Sequence, residues 1–390
     1  MKPKRLISLL VAVCMMITML PLSAVTAFAA DTSTVHEAND GDGIYKYAYK
    51  ENEDGTATIT DFLGPVDSTK TPDPYTITVP TKLDGRKVTG LGESSFSGIY
   101  SSDHQKDSTL LSFCNQIQSV TIPESVTSIG KSAFENCSKL DSLIINGVAT
   151  SMIGALAFAG CNSLTSLSLV GSFQTIGDFA FANCGMTSLT INANITSIEK
   201  YAFSSGSLTS LSLTGNVQKI GDYAFSSCSS LKTVTLPKSL TFIGSHAFDS
   251  CTSLDPIEIP GKVTEIGDCA FYNCDGLISA TIEEGVQSTG ADMFYGCDNL
   301  ATVKLPESLT TIADGSFAFC SDLNHVNIPA SVTCIGNSAF SNCTSLSDIT
   351  LQDGVKTIGA DAFFLLQRAH LDHSAGQCDR HWQGGFLLLR

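Results

Sequence analysis

Apolar and polar positions follow one pattern that the chain repeats. Residues 221–243 read GDYAFSSCSSLKTVTLPKSLTFI, and the same order restarts at Gly244. In the first half Ala224, Phe225 and Cys228 stand at i, i+1 and i+4, a spacing that puts them on one side of a short helix. An N-cap type residue follows the glycine in several units, as Asp178, Asp222, Ser245, Asp268 and Asn337, which predicts a helix start there. In the second half Leu231 leads into Val234 and Leu236, whose two-residue spacing points both to one face of a strand. Proline ends the strand at Pro80, Pro123, Pro237, Pro260, Pro306 and Pro329, because it cannot donate into a ladder. A segment of the type S-V-T-x-I-G then brings the chain back.

The aromatic residue dates each unit: Phe96, Phe134, Phe158, Phe181, Phe203, Phe225, Phe248, Phe271, Phe294, Phe317, Phe340 and Phe363. From Phe134 onward the intervals are 24, 23, 22 and 22, then 23 throughout. A unit this short cannot bury its apolar face alone, so successive coils must stack and share one core. The prediction is one α/β repeat solenoid of 22–24-residue coils over residues 75–363, with a parallel sheet on one face and short helices or turns on the other. The first interval is 38, which marks an insertion at residues 97–113 that carries Tyr100 and His104 as candidate contact residues.

The ends differ. Lys2, Lys4 and Arg5 precede an apolar run and then Ala27-Phe28-Ala29-Ala30, so residues 1–30 read as a secretory signal peptide with cleavage after Ala29 or Ala30. No membrane span is expected after it. Residues 31–44 read as a flexible leader, and residues 45–74 as a hairpin cap that turns at Asp54-Gly55. After Phe363 the unit fails: Phe364-Leu365-Leu366 replaces F-x-x-C, and residues 364–390 read as a disordered tail, or one truncated or out of frame.

The full unit, I-G-x-x-A-F-x-x-C-x-x-L-x-x-V-x-I-P, is written out at Ile243-Gly244-Ser245-His246-Ala247-Phe248-Asp249-Ser250-Cys251 and on to Leu254, Ile257, Ile259 and Pro260. It closely resembles the BspA-like leucine-rich repeat family. The resemblance implies a right-handed leucine-rich repeat array on secreted or surface proteins of bacteria. Some characterised members of that family bind host matrix or plasma proteins as adhesins. The family has no shared catalytic residues, so the resemblance carries none over.

Charge and cysteine usage narrow the function. Asp and Glu number 38 against 22 Lys and Arg, a net charge of −16, which disfavours nucleic acid and anionic membranes as partners. Ten of fourteen cysteines share one repeat position, where Gly206 takes the eleventh place. An even count in a secreted chain invites disulfides, but parallel Cβ vectors in stacked coils do not meet the torsion a disulfide needs. Buried free thiols are therefore expected. Cys269 and Cys334 fall outside the column and read as packing residues, since Cys269-x4-Cys274 has no histidine at ligand spacing. His246 and His325 pair with no nucleophile motif, and no G-x-S-x-G, H-E-x-x-H or P-loop occurs. No enzyme activity, cofactor or metal is expected.

What remains is the strand face that points away from the core, which is rich in Ser and Thr. Its departures concentrate in the coils from Pro256 and Glu258 through Lys304, His325 and Asn327, and Glu258, Thr281, Lys304, His325 and Asn327 are the candidate ligand-binding residues. The expected function is binding an extracellular protein or polysaccharide, as an adhesin-type module. The alternatives are a structural spacer for further domains and a glycan-binding module.

Overall fold

The computed structural model describes residues 34–67, 69, 74–98, 108–146, 152–170, 173–191, 194–352, 354–366 and 370–373. The signal-like segment 1–30, Tyr100 and His104 lie outside the described residues.

The L-x-x-V-x-I segments form strands, one per coil, that pair in parallel and in register. Ser119, Val120, Thr121 and Ile122 face Ser142, Leu143, Ile144 and Ile145, and Ser210, Leu211 and Ser212 face Thr233, Val234 and Thr235. Alternation sets the faces. Leu211 and Leu213 are buried, while Thr233 and Thr235 of the next strand are exposed. The T-x-I-G segment forms a second parallel sheet of two-residue strands, in which Ser197 and Ile198 pair with Lys219 and Ile220. The return path read from the sequence is therefore itself a sheet, and its isoleucines, Ile176, Ile198, Ile220 and Ile243 among them, are buried. Stacking at this pitch explains the glycine that follows. A Cβ on Gly244 would lie 2.5 Å from the backbone of Gly221 and Asp222 one coil earlier, so the column is spaced for coil contact.

The segment after that glycine is not a helix. Tyr223, Phe225 and Ser227 donate their N–H groups to Ser245, Ala247 and Asp249 of the next coil at 2.9, 2.8 and 2.7 Å. The residues between them, Ala224, Ser226 and Cys228, donate to the third residue back in their own coil at 3.3, 3.1 and 3.3 Å. An α-helix would direct every N–H to the fourth residue back. The alternation requires two left-handed residues per coil, as at Tyr223 (φ 56) and Ser227 (φ 61), and again at His246 (φ 56) and Ser250 (φ 60). The residues read as N-caps act between coils as well: Asp222 Oδ1 accepts from the Ser245 N–H at 3.0 Å and Asp268 Oδ1 from the Ala291 N–H at 3.2 Å. Within the insertion a true helix, α1, covers Ser108–Cys114.

Two columns run through the core between the apolar residues of the two sheets. The phenylalanine rings from Phe96 to Phe363 stack coil upon coil, and Phe203 and Phe225 lie 5.4 Å apart at 3°. Each such pair adds about 0.5–1.5 kcal/mol beyond the area it buries. Beside them run the column cysteines, which are buried thiols.

The N-terminal end is a three-stranded meander. Strand β1 (Val35–Asn39) pairs antiparallel with β2 (Tyr45–Glu51), which pairs antiparallel with β3 (Ala57–Pro65). This corrects the flexible leader: Val35–Asn39 is the outer strand of the cap. It pairs the outer edge of β2, whose backbone N–H and C=O groups would otherwise be unpaired, and brings His36 against the Tyr49 ring at 5.3 Å. β3 then runs parallel to Arg86–Leu91, and Phe62 stacks on Phe96 at 5.5 Å, so the cap passes directly into the coil sheets. At the other end His370–His373 pairs in parallel with Asp348–Leu351, in the register Asp348↔His370. The reading of residues 364–390 as a disordered tail is corrected for that strand, and Phe363 and Leu366 are buried before it.

Candidate functional site

The strand face presents the predicted residues on neighbouring rungs. Ile257 and Ile259 turn inward and leave Glu258 outward; Val303 does the same for Lys304, and Val326 for His325 and Asn327. Register aligns Glu258 with Thr281 and Thr281 with Lys304, and it sets His325 beside Thr302. Glu258, Lys304, His325 and Asn327 are exposed and Thr281 is half-buried. Two rungs of about 4.8 Å separate Glu258 from Lys304, with Thr281 between them, and both charges face solvent. Asp255 steadies this region, because its Oδ1 accepts the N–H groups of Ile278 and Ser279 one coil on, at 3.0 and 3.3 Å. The structure thus brings five of the seven candidates onto one face. Tyr100 and His104 are not among the described residues.

A second surface was missed by sequence reasoning. The left-handed residue before each alanine points outward, and in four consecutive coils it is Phe179, Tyr201, Tyr223 and His246. Their rings stack at 4.5, 4.6 and 4.5 Å, within 12° of parallel. Tyr272, Tyr295 and Phe319 continue the stripe at 6.4, 5.0 and 5.0 Å. All are half-buried except Phe319, which is exposed. Carboxylates fringe it: burial first, then Asp222 and Asp249, push the Tyr201 hydroxyl up, and burial followed by Asp292 does so at Tyr295. The Lys200 ammonium lies over the rings of Tyr201 and Tyr223 at 5.6 and 5.8 Å. The signal was in the sequence as four aromatic residues at one repeat position. A helix gives that position no special direction, whereas the left-handed turns aim it outward.

At the centre of the stripe His246 Nδ1 meets Asp249 Oδ2 at 3.0 Å. The Asp249 contact, and after it the Cys269 side chain, push the imidazole up to about 9. Among the described residues no three His, Cys, Asp or Glu side chains gather as a metal site, and no helix is long and apolar enough to cross a membrane.

Comparison with known proteins bears on the repeat. A leucine-rich repeat protein from Bacteroides ovatus is 25% identical, with a TM-score of 0.51 over 85% of this chain and 88% of that one. A leucine rich cell surface protein from Faecalibacterium prausnitzii is 24% identical, with a TM-score of 0.45 over 89% and 97%. A leucine-rich repeat protein from Eubacterium ventriosum is 20% identical, with a TM-score of 0.45 over 88% and 92%. A search among curated proteins finds no match. The family described as BspA type leucine rich repeat region matches residues 86–152, 107–207, 148–255 and 241–369. With its phenylalanine column and most of its glycine-spaced coils and parallel strands inside that span, the chain belongs to the BspA-type leucine-rich repeat family.

Proposed function

We propose that this chain is a secreted or cell-surface binding protein of the adhesin type, which contacts an extracellular protein through the strand face of its solenoid. The observation that carries this reading is the outward row Glu258, Thr281, Lys304, His325 and Asn327, whose inward neighbours are committed to the core. Glu258, Lys304, His325 and Asn327 break a largely hydroxyl-rich surface and place charged and polar groups on neighbouring rungs around Thr281. The face lacks the Trp, Tyr and Arg anchors of tight interfaces, so it suits an extended, modest contact that gains strength from many copies on a surface. The signal-like residues 1–30 support an extracellular address. A solid-phase screen of the purified chain against matrix proteins, plasma proteins and polysaccharides tests the reading. A protein hit should weaken at least tenfold in the combined variant Glu258→Thr, Lys304→Thr, His325→Thr. An unchanged signal would remove the strand face from the contact, and recovery of polysaccharide alone would favour the glycan-binding alternative.

The turn face supports a second reading. Its aromatic stripe carries a fringe of carboxylates and already holds the Lys200 ammonium over two rings. That chemistry fits a lysine- or arginine-rich segment of a partner protein, through cation–π contacts of about 0.5–1 kcal/mol each and ion pairs at the fringe.

A further inference from the structure

We propose that the cleft shared by Lys139 and Asp141 is a binding site for a free α-amino acid, held as a zwitterion. A cavity of about 440 Å³ lies beside the first residues of the main strands, lined by Pro74, Gln118, Lys139, Asp141 and Ser163. That size falls within the range of about 300–1,000 Å³ that small-molecule sites occupy. The lining comes from three successive coils and from the residue before the strand Tyr75–Thr78. Backbone bonds fix the spacing: the Tyr75 N–H donates to the Gln116 carbonyl at 2.9 Å and the Asp141 N–H to the Gln118 carbonyl at 2.8 Å.

Lys139 and Asp141 stand two and four residues after the column cysteine Cys137. No other cysteine coil carries a cation and an anion at these two positions; Gln116 and Gln118 precede them, and Ser163 and Thr165 follow. Buried Leu140 separates the two in the chain, and their charges do not pair with each other. Lys139 Nζ donates to Gln116 Oε1 at 2.6 Å, and Asp141 Oδ2 accepts from Gln118 Nε2 at 2.7 Å. Each charge thus rests on a neutral amide of the preceding coil. Among the described residues the ammonium keeps two donors in reserve and the carboxylate keeps Oδ1.

Asp255 shows what a purely structural carboxylate does at the same repeat position. Its Oδ1 accepts the N–H groups of Ile278 and Ser279 on the next coil. At Asp141 the equivalent N–H groups, of Thr165 and Ser166, go to the backbone carbonyl at 3.1 and 3.0 Å. The Asp141 carboxylate is therefore not spent on joining coils. A cation and an anion held apart in one small cleft match the two charges of an amino acid: Lys139 faces the α-carboxylate and Asp141 the α-ammonium, while Ser163 adds a hydroxyl. The ligand carries no net charge, so the chain's charge of −16 does not repel it as it would an anion.

Thermal shift of the full chain at neutral pH against each common L-amino acid, with glucose beside them, tests the assignment. The amino acid that raises the denaturation midpoint most is then titrated by calorimetry together with its N-acetyl derivative and its carboxamide. The first derivative lacks the ammonium and the second the carboxylate, so each should bind at least tenfold more weakly. Lys139→Gln and Asp141→Asn should each weaken the parent amino acid to the same degree. The carboxamide should be indifferent to Lys139→Gln and the N-acetyl form to Asp141→Asn, a pattern that a loss of fold would not produce. Lys232→Gln, in the same repeat column of another coil, should leave binding unchanged. The proposal is overturned if no amino acid raises the midpoint, if both derivatives bind as well as the parent, or if affinity is undiminished in Lys139→Gln and Asp141→Asn. Binding of glucose alone, lost in Asp141→Asn, would overturn it in favour of a neutral saccharide.

Discussion

The thiol of Cys251 donates to the backbone carbonyl oxygen of Phe225, one coil earlier, at 3.2 Å. The relation recurs: Cys228 reaches Phe203, Cys274 reaches Phe248 and Cys320 reaches Phe294, each at 3.2 Å. The Phe225 oxygen also accepts the Cys228 N–H of its own coil at 3.3 Å. Both lone pairs of a buried carbonyl are thereby used. Cysteine suits the position because it fills space like a small apolar residue and still supplies a weak donor.

Replacement of Cys251 by alanine should therefore cost about 1–3 kcal/mol, from the lost donor and the volume left behind. Cys251→Ser, which keeps a donor, should cost less than Cys251→Ala. Urea denaturation followed by circular dichroism measures both. A larger loss for serine would show that volume alone matters here.

The same column makes stability depend on pH. Burial pushes the thiols of Cys184, Cys228 and Cys343 from about 9 up to about 12. In the unfolded chain these groups ionise near 9, whereas in the folded chain they stay neutral. The unfolded state thus releases protons first as pH rises. The contribution is fully present below about pH 9 and is lost between about 9 and 12, at about 1.4 kcal/mol per thiol per pH unit. Denaturation midpoints at pH 8, 9 and 10 should fall steeply across the last interval. A flat profile would mean that the thiols are not buried as free groups, and a thiol titration before and after unfolding would show the same thing independently.

The period and the inward residues were legible in the sequence because one large ring, Phe225 or its counterpart, recurs at nearly constant spacing and has nowhere to go but inward. The local conformation was not. Ala224, Phe225 and Cys228 face the core in a helix and also in the alternating left-handed turns that form. Half the evidence for those turns was visible, since Asn136, Gly160, Asn183, Asn273 and Gly296, two residues after each phenylalanine, are the types that tolerate positive φ. The other half was hidden, because Tyr223, His246 and Cys269 are not such types and are held there by the next coil's carbonyls. Of the candidate site, the strand face followed from simple alternation, while the aromatic stripe depended on a direction that only the turns define.

Gly206 offers a gain. It stands three residues after Phe203, at the repeat position where ten coils have cysteine, and the preceding 22-residue coil carries Cys184 at that place with its thiol 3.3 Å from the Phe158 carbonyl. A Cβ on Gly206 would meet the Phe203 carbonyl oxygen at 3.3 Å, a tight but adjustable contact, and the glycine φ is not positive. Gly206→Cys should stabilise the chain by about 0.5–1.5 kcal/mol through the added donor and lost backbone freedom. Gly244→Ala should destabilise it, because its Cβ would meet backbone at 2.5 Å that cannot yield. Paired denaturation curves decide both, and destabilisation by Gly206→Cys would show that this coil cannot accept a side chain.

The two surfaces can be told apart by the chemistry of what they bind. If the turn face takes a cationic segment, a lysine-rich peptide should bind the chain with an affinity that falls as salt rises, because the carboxylate fringe acts over a Debye length of about 8–10 Å. Removal of two half-buried rings, Tyr223→Ser with Tyr272→Ser, should weaken that binding about tenfold, which follows from the loss of two contacts of about 0.5–1 kcal/mol each. Lys200→Gln should strengthen it, since the ammonium now over Tyr201 and Tyr223 competes for the same ring faces. Glu258→Thr with Lys304→Thr, on the other surface, should leave it unchanged. Titration calorimetry at two salt concentrations resolves all four outcomes. Peptide binding that survives loss of both tyrosines but falls with Glu258 would place the contact on the strand face and leave the stacked rings a purely structural role.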